Sequence, residues 1–235
     1  MGGSRLPAKG ARGQATRPVP AKEDRPTPAA RSLAEEIRAA ARPGQADRAL
    51  QAFERAVGLL ERGRDGAAAQ AAEEAKNLAP RSGAVREVLG IALYRAERYR
   101  EALRELQAYR RMTGRLDHNH LIADSYRALG SPEKAIESAR AAFEARIPEE
   151  ARAEAVVVGA SALADLGRFD EAIGMLRAFP TGERVIRPFD LRVWYVTGDV
   201  LDRAGRRKEA AAEFRKVIRH DSAAFDAAER LARLQ

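Results

Sequence analysis

The sequence predicts an all-α protein, an α-solenoid of about five helix hairpins with one further helix at each end. Three observations lead there. Small residues recur at intervals of 33 to 38 positions. The apolar residues between them keep the three-and-four spacing of one helix face. Aromatics make up only 6% of a chain rich in Ala, Glu, Leu and Arg, which suits surface-rich helices better than a sandwich of sheets.

Residues 1–31 come first and differ from the rest. They hold five of the eleven prolines and seven basic side chains against Glu23 and Asp24. So little apolar surface cannot offset chain entropy, and a disordered basic tail is expected. No long apolar run follows the first charges, so a secretory leader is not expected and a cytoplasmic location is the default. At Ser32 the pattern changes: Ser32 and Glu35 have capping-box spacing, Leu33 and Ile37 fall on one face, and Pro43-Gly44 ends the helix. This helix, over 32–43, is expected to cap the array by covering its apolar first groove residues.

The repeats occupy residues 44–222. Ala68, Ala102, Ala135, Ala172 and Ala210 each open the second helix of a hairpin, 34, 33, 37 and 38 residues apart. Twelve positions earlier stand Ala56, Gly90, Ala123, Ala160 and Gly198; nine earlier stand Leu59, Leu93, Tyr126, Leu163 and Leu201. Five earlier is the turn, with Gly63, Gly130, Gly167 and Gly205, and Glu97 as the exception. Paired small residues let two helices cross closely, glycine ends the first helix in a left-handed conformation, and the large apolar residues fill the layer between hairpins. Residues 223–235 then read as a solvating terminal helix.

These residues resemble the tetratricopeptide repeat family. The best copy is WYVTGDVLDRAGRRKEAAAEFRKVI, with Trp194, Gly198, Leu201, Gly205, Ala210 and Phe214 at the family's positions. GASALADLGRFDEAIGML and LGIALYRAERYREALREL follow closely, and the degenerate first copy ends at Pro80. The last two junctions are longer than the family's period, so 178–190 is a stretched loop, either a tolerated insertion or a contact element. The 36 arginines against 6 lysines match the composition of proteins from GC-rich genomes, as in actinobacteria.

The resemblance implies a right-handed superhelix whose concave groove is lined by the first helix of each hairpin. Projected onto that groove are Glu87, Tyr94, Asp117, His120, Asp124, Arg127, Glu154, Ser161, Arg192, Tyr195, Asp199 and Asp202, preceded by apolar Leu50, Phe53, Val57 and Leu60. Six carboxylates against two arginines and His120 make this groove mildly acidic. It would take a basic or polar segment, with Tyr94 and Tyr195 as anchors. Alternatively, those carboxylates pair with neighbouring arginines. The Lys and Asn that chaperone-binding relatives use to hold a terminal carboxylate are missing.

Catalytic and cofactor chemistry finds no footing. The chain has no cysteine, which excludes disulfides, thiolate zinc sites and cysteine nucleophiles. His118 and His120 are two apart, on different sides of a helix, so no metal is expected; no phosphate loop is present. No oxyanion donor accompanies His120, Asp124 and Ser125. The sequence therefore predicts a non-catalytic protein-binding scaffold without cofactors or membrane span, of undetermined oligomeric state. The alternative is an RNA- or ribosome-associated factor using the basic tail, bound weakly and with strong salt dependence.

Overall fold

The computed structural model describes residues 28–182 and 185–234, and these contain helices and turns without strands. Five hairpins follow one another: α2 (Ala46–Glu61) with α3 (Asp65–Leu78), α4 (Gly83–Arg95) with α5 (Tyr99–Thr113), α6 (Asn119–Ala128) with α7 (Pro132–Glu144), α8 (Glu149–Asp165) with α9 (Phe169–Arg177), and α10 (Pro188–Arg203) with α11 (Arg207–His220). Each second helix also packs on the first helix of the next hairpin. The first helices α2, α4, α6, α8 and α10 additionally touch one another in series, forming one row of a helical-repeat solenoid.

The paired small residues do what their spacing implies. Ala56, Ala68, Ala102, Ala123, Ala135, Ala160, Ala172 and Ala210 are fully buried. Helix crossings are closest at the glycines: a Cβ on Gly90 would lie 2.7 Å from the Leu106 side chain, and one on Gly198 would lie 2.8 Å from the Phe214 ring. In the fourth hairpin the tightest approach belongs to Gly159, whose Cβ would meet Ala139 and Met175 at 2.8 Å. The turns between paired helices are left-handed at Gly63, Gly130, Gly167 and Gly205, and Glu97 adopts the same conformation, φ 58°, in the second hairpin. A non-glycine there carries a steric cost of about 1 kcal/mol, which the surrounding packing absorbs.

Both ends depart from the sequence reading in detail. Helix α1 spans Pro28–Ala40, so Ser32 lies inside it and caps nothing. Proline is well placed in a first turn, where its missing N–H would have no partner. Residues 1–27 of the expected tail lie outside the described residues, and 28–31 are helical. α1 packs against α2 and α4. Ile37 is fully buried among Ala49, Phe53 and Val85, while Leu33 stays exposed. Glu36 crosses to the start of α4, accepting hydrogen bonds from the Ser82 hydroxyl (2.7 Å) and the Gly83 N–H (2.8 Å). Ser82 in turn accepts from the Val85 N–H, so α4 has a cap shared between two helices.

At the other end the terminal helix α12 is shorter than expected, Ala227–Arg233. Asp221 accepts the Ala223 N–H and Phe225 takes a left-handed φ of 57°, holding 221–226 as turns. The stretched junction between α9 and α10 is tied down on both sides. Phe179 is buried edge-on to Phe189, Thr181 accepts the Trp194 indole N–H at 3.1 Å, and Arg187 bonds both Asp190 and Glu149.

Candidate binding cleft on the first-helix row

A cleft of about 420 Å³ opens where α4, α6, α8 and α10 face one another. Seven of the projected groove residues line it: Tyr94, His120, Asp124, Arg127, Glu154, Ser161 and Arg192. Helical periodicity explains this, since residues three or four apart on successive first helices share one face. Leu121, Val157, Val158 and Val196 add apolar wall, and Glu150 adds a further carboxylate. Glu150 lies one turn before Glu154 and follows Pro148-Glu149; being at the very start of α8, it falls outside the projection.

The other five projected residues lie elsewhere or are already engaged. Asp117 sits in the turn before α6, buried under Tyr109, whose hydroxyl donates to it at 3.1 Å, and paired with Arg115. Glu87 meets the His118 Nε2 at 2.6 Å. The Glu87, Asp117 and His118 ligand atoms all lie within 4.8 Å of one another, so the turn brings together a cluster that the linear spacing hides. The guanidinium of Arg115 already supplies it with a cation. Tyr195, Asp199 and Asp202 are taken up by the C-terminal segment. Tyr195 donates to Asp226 and stacks on Phe225 at 4.6 Å, and Arg230 bonds Asp199 (2.8 Å) and Asp202 (3.1 Å). Burial, then the bond to Asp226, pushes the Tyr195 hydroxyl up to about 12.

Ion pairs join the row from helix to helix. The Tyr94 hydroxyl donates to Asp124 at 2.6 Å. Arg127 reaches Asp124 (3.7 Å) and Asp165 (2.5 Å), Arg203 reaches Asp165 (3.2 Å), and Arg192 reaches Glu154 (3.1 Å). The groove carboxylates thus pair with neighbouring arginines, two of which, Arg203 and Arg230, the projection does not place there. Pairs this exposed stabilise by about 0–1 kcal/mol each.

Compensation is incomplete around α8. Along the row, Asp124, Glu150, Glu154, Asp165, Asp199 and Asp202 face only Arg127, Arg192, Arg203 and Arg230 among the described residues. Burial raises the Glu154 pKa; Arg192 opposes this, while Glu150 and Asp124 push it further up. Asp165 shows the contrary case, with burial outweighed by Arg127 and Arg203 so that its pKa falls. His120 is neutral at pH 7, because burial first and His118 second lower it to about 4. Its Nδ1 is buried without a hydrogen-bond partner among the described residues.

A family model described as "Tetratrico peptide repeat" matches residues 121–223, which run from α6 to just past α11. Residues 121–223 thus carry the tetratricopeptide repeat pattern. Several solved structures superpose on more than three quarters of the chain. The TPR protein YrrB, described as having an unusual peptide-binding site, matches 77% of this chain and 90% of its own, with 20% identity and a TM-score of 0.55. The TPR protein TTC0263 of Thermus thermophilus matches 79% and 98%, with 20% identity and a TM-score of 0.58. The apo quorum sensor NprR of B. thuringiensis matches 80% of this chain and 57% of its own, with 14% identity and a TM-score of 0.65. At these identities the likeness is one of fold. No curated protein matches the sequence.

Proposed function

We propose that this tetratricopeptide array is a non-catalytic scaffold that holds an extended segment of a partner protein in the cleft between α4, α6, α8 and α10. The observation that carries the reading is the cleft itself. It lies on the first-helix row, it has both an apolar wall and polar edges, and its volume falls in the range of specific ligand sites. A peptide ligand is in keeping with the peptide-binding site named for YrrB. A cytoplasmic scaffold suits a chain in which no described helix is long and apolar enough to cross a membrane.

The side chains nearest to chemistry support a binding role. The Ser125 hydroxyl donates to the Leu121 carbonyl (2.7 Å) and the Ser161 hydroxyl to the Val157 carbonyl (2.8 Å), leaving neither poised beside a base. A basic or polar segment is the preferred ligand, because the uncompensated charge around Glu150 and Glu154 is negative.

Capture by the immobilised full chain tests this. A partner retained after nuclease treatment and at moderate salt is expected, and Ser161→Arg, which puts bulk and charge into the cleft, should reduce it at least about tenfold, some 1.4 kcal/mol. The variant's thermal melt serves as the check on folding. Equal retention by the variant would refute the cleft. Release by nuclease would favour the RNA-associated reading, in which the basic N-terminal segment makes the contacts.

A further inference from the structure

The cleft lacks positive charge at one place, and the same chain has a surplus of it in residues 1–27. On α8, Glu150 and Glu154 stand one turn apart on the cleft wall. Glu154 has Arg192 at 3.1 Å, while Glu150 makes no ion pair among the described residues. Two carboxylates with a single arginine between them leave room for one more cation; Glu154 is partly buried, which strengthens its attraction, and Glu150 is exposed and within reach of an arriving side chain.

Residues 1–27 carry six basic side chains against Glu23 and Asp24. They join the array at Pro28, the start of α1. Through Glu36, α1 is bonded to the first residues of α4, whose Tyr94 lines the cleft. From Pro28 to Glu36 along α1 is roughly 12 Å, and from Gly83 to Tyr94 along α4 roughly 17 Å. Twenty-seven residues reach up to about 90 Å when extended, about three times those two lengths together. A tethered ligand with adequate reach is present at an effective concentration on the order of millimolar, so even a weak site would be filled.

We propose that the resident occupant of the cleft is the chain's own N-terminal segment, residues 1–27, held by lysine or arginine side chains set against Glu150 and Glu154. A partner segment then binds by displacing it, and the free array is self-inhibited. This rests on the peptide-binding reading of the cleft.

The chain has no cysteine, so introduced pairs report contacts without background. In the full chain, Ala8→Cys, Gln14→Cys or Ala21→Cys is combined with Ser161→Cys in the cleft or with Ala141→Cys on α7. Under mild oxidation, the fastest pair with position 161 should close within one chain at least about tenfold faster than the same residue with position 141, because both pairs share the tether and only residence in the cleft favours position 161. Glu150→Gln with Glu154→Gln, or about 0.5 M salt, should bring the two rates together. Equal rates from the outset, or a disulfide formed only between chains, would overturn the proposal. If partner capture in the preceding experiment still depends on Ser161, self-occupancy alone has failed. If capture is also insensitive to it, the cleft reading has failed.

Discussion

Phe214→Ala is expected to lower the free energy of unfolding by about 3–5 kcal/mol, the cost of a large buried ring and the cavity it leaves. Phe214 is fully buried on α11 and lies over Gly198 of α10, where the two helices of the last hairpin cross. Tyr195 packs beside it at 5.8 Å, and the Arg230 guanidinium of α12 lies 5.4 Å from the ring centre. Losing the ring therefore loosens the hairpin and the terminal helix together. The reverse insult, Gly198→Ala, drives a methyl to within 2.8–3.0 Å of that ring and should cost about 1–3 kcal/mol. In the Phe214→Ala background the same methyl meets open space, so its penalty should vanish. Urea denaturation of the two single variants and the double variant reads this coupling directly. Additive costs would mean that the ring and the glycine do not set the crossing.

Asp190→Ala is expected to cost about 2–4 kcal/mol, although Asp190 lies outside the repeat pattern. Its carboxylate is fully buried and accepts from the Arg187 backbone N–H at 2.8 Å and from the Arg187 guanidinium at 3.0 Å. Burial works to raise its pKa, but the Arg187 side chain and the backbone N–H groups of Arg187 and Gly182 outweigh it, so the carboxyl titrates below its usual range. A depressed folded-state pKa means stability that is present above the ordinary aspartate value and lost as pH falls through the lowered one. The deficit of Asp190→Ala against the parent should accordingly be constant near neutrality and shrink only in strong acid. Melting curves across that range test both parts. Gly182 belongs to the same arrangement, since a Cβ there would fall 2.3 Å from the Val185 carbonyl oxygen.

What can be read from the sequence follows from how local each signal is. The hairpins are legible because a close helix crossing demands small residues at a fixed offset, and Ala102 with Gly90 or Ala210 with Gly198 states that demand within a few turns. The exact residue of closest approach is less so: Ala160 keeps the period and is buried, yet Gly159 beside it touches Ala139 and Met175. Ser32 misleads because its capping spacing is real, while the helix starts earlier, at Pro28.

The cleft is partly legible, since projection of the first helices finds Tyr94, Asp124 and Arg192. It gives the charges but not their partners. Arg127 and Arg203 each reach Asp165 over a separation of 38 residues, and Arg230 reaches Asp199 over 31. These separations are close to one repeat, so opposite charges one repeat apart are the signal that identifies such pairs. Asp117 is misplaced by the projection and His118 missed for a different reason: both precede α6 in a turn, where helical projection does not apply.

A partner segment lying along the first-helix row should be caught there by photo-cross-linking of the full chain. A photoreactive residue at position 161, in the cleft, should yield an adduct with the captured partner on illumination. The same residue at position 141, on α7, should yield none. Adducts from position 141 with none from position 161 would place the partner on the second-helix row and rule out binding along the first.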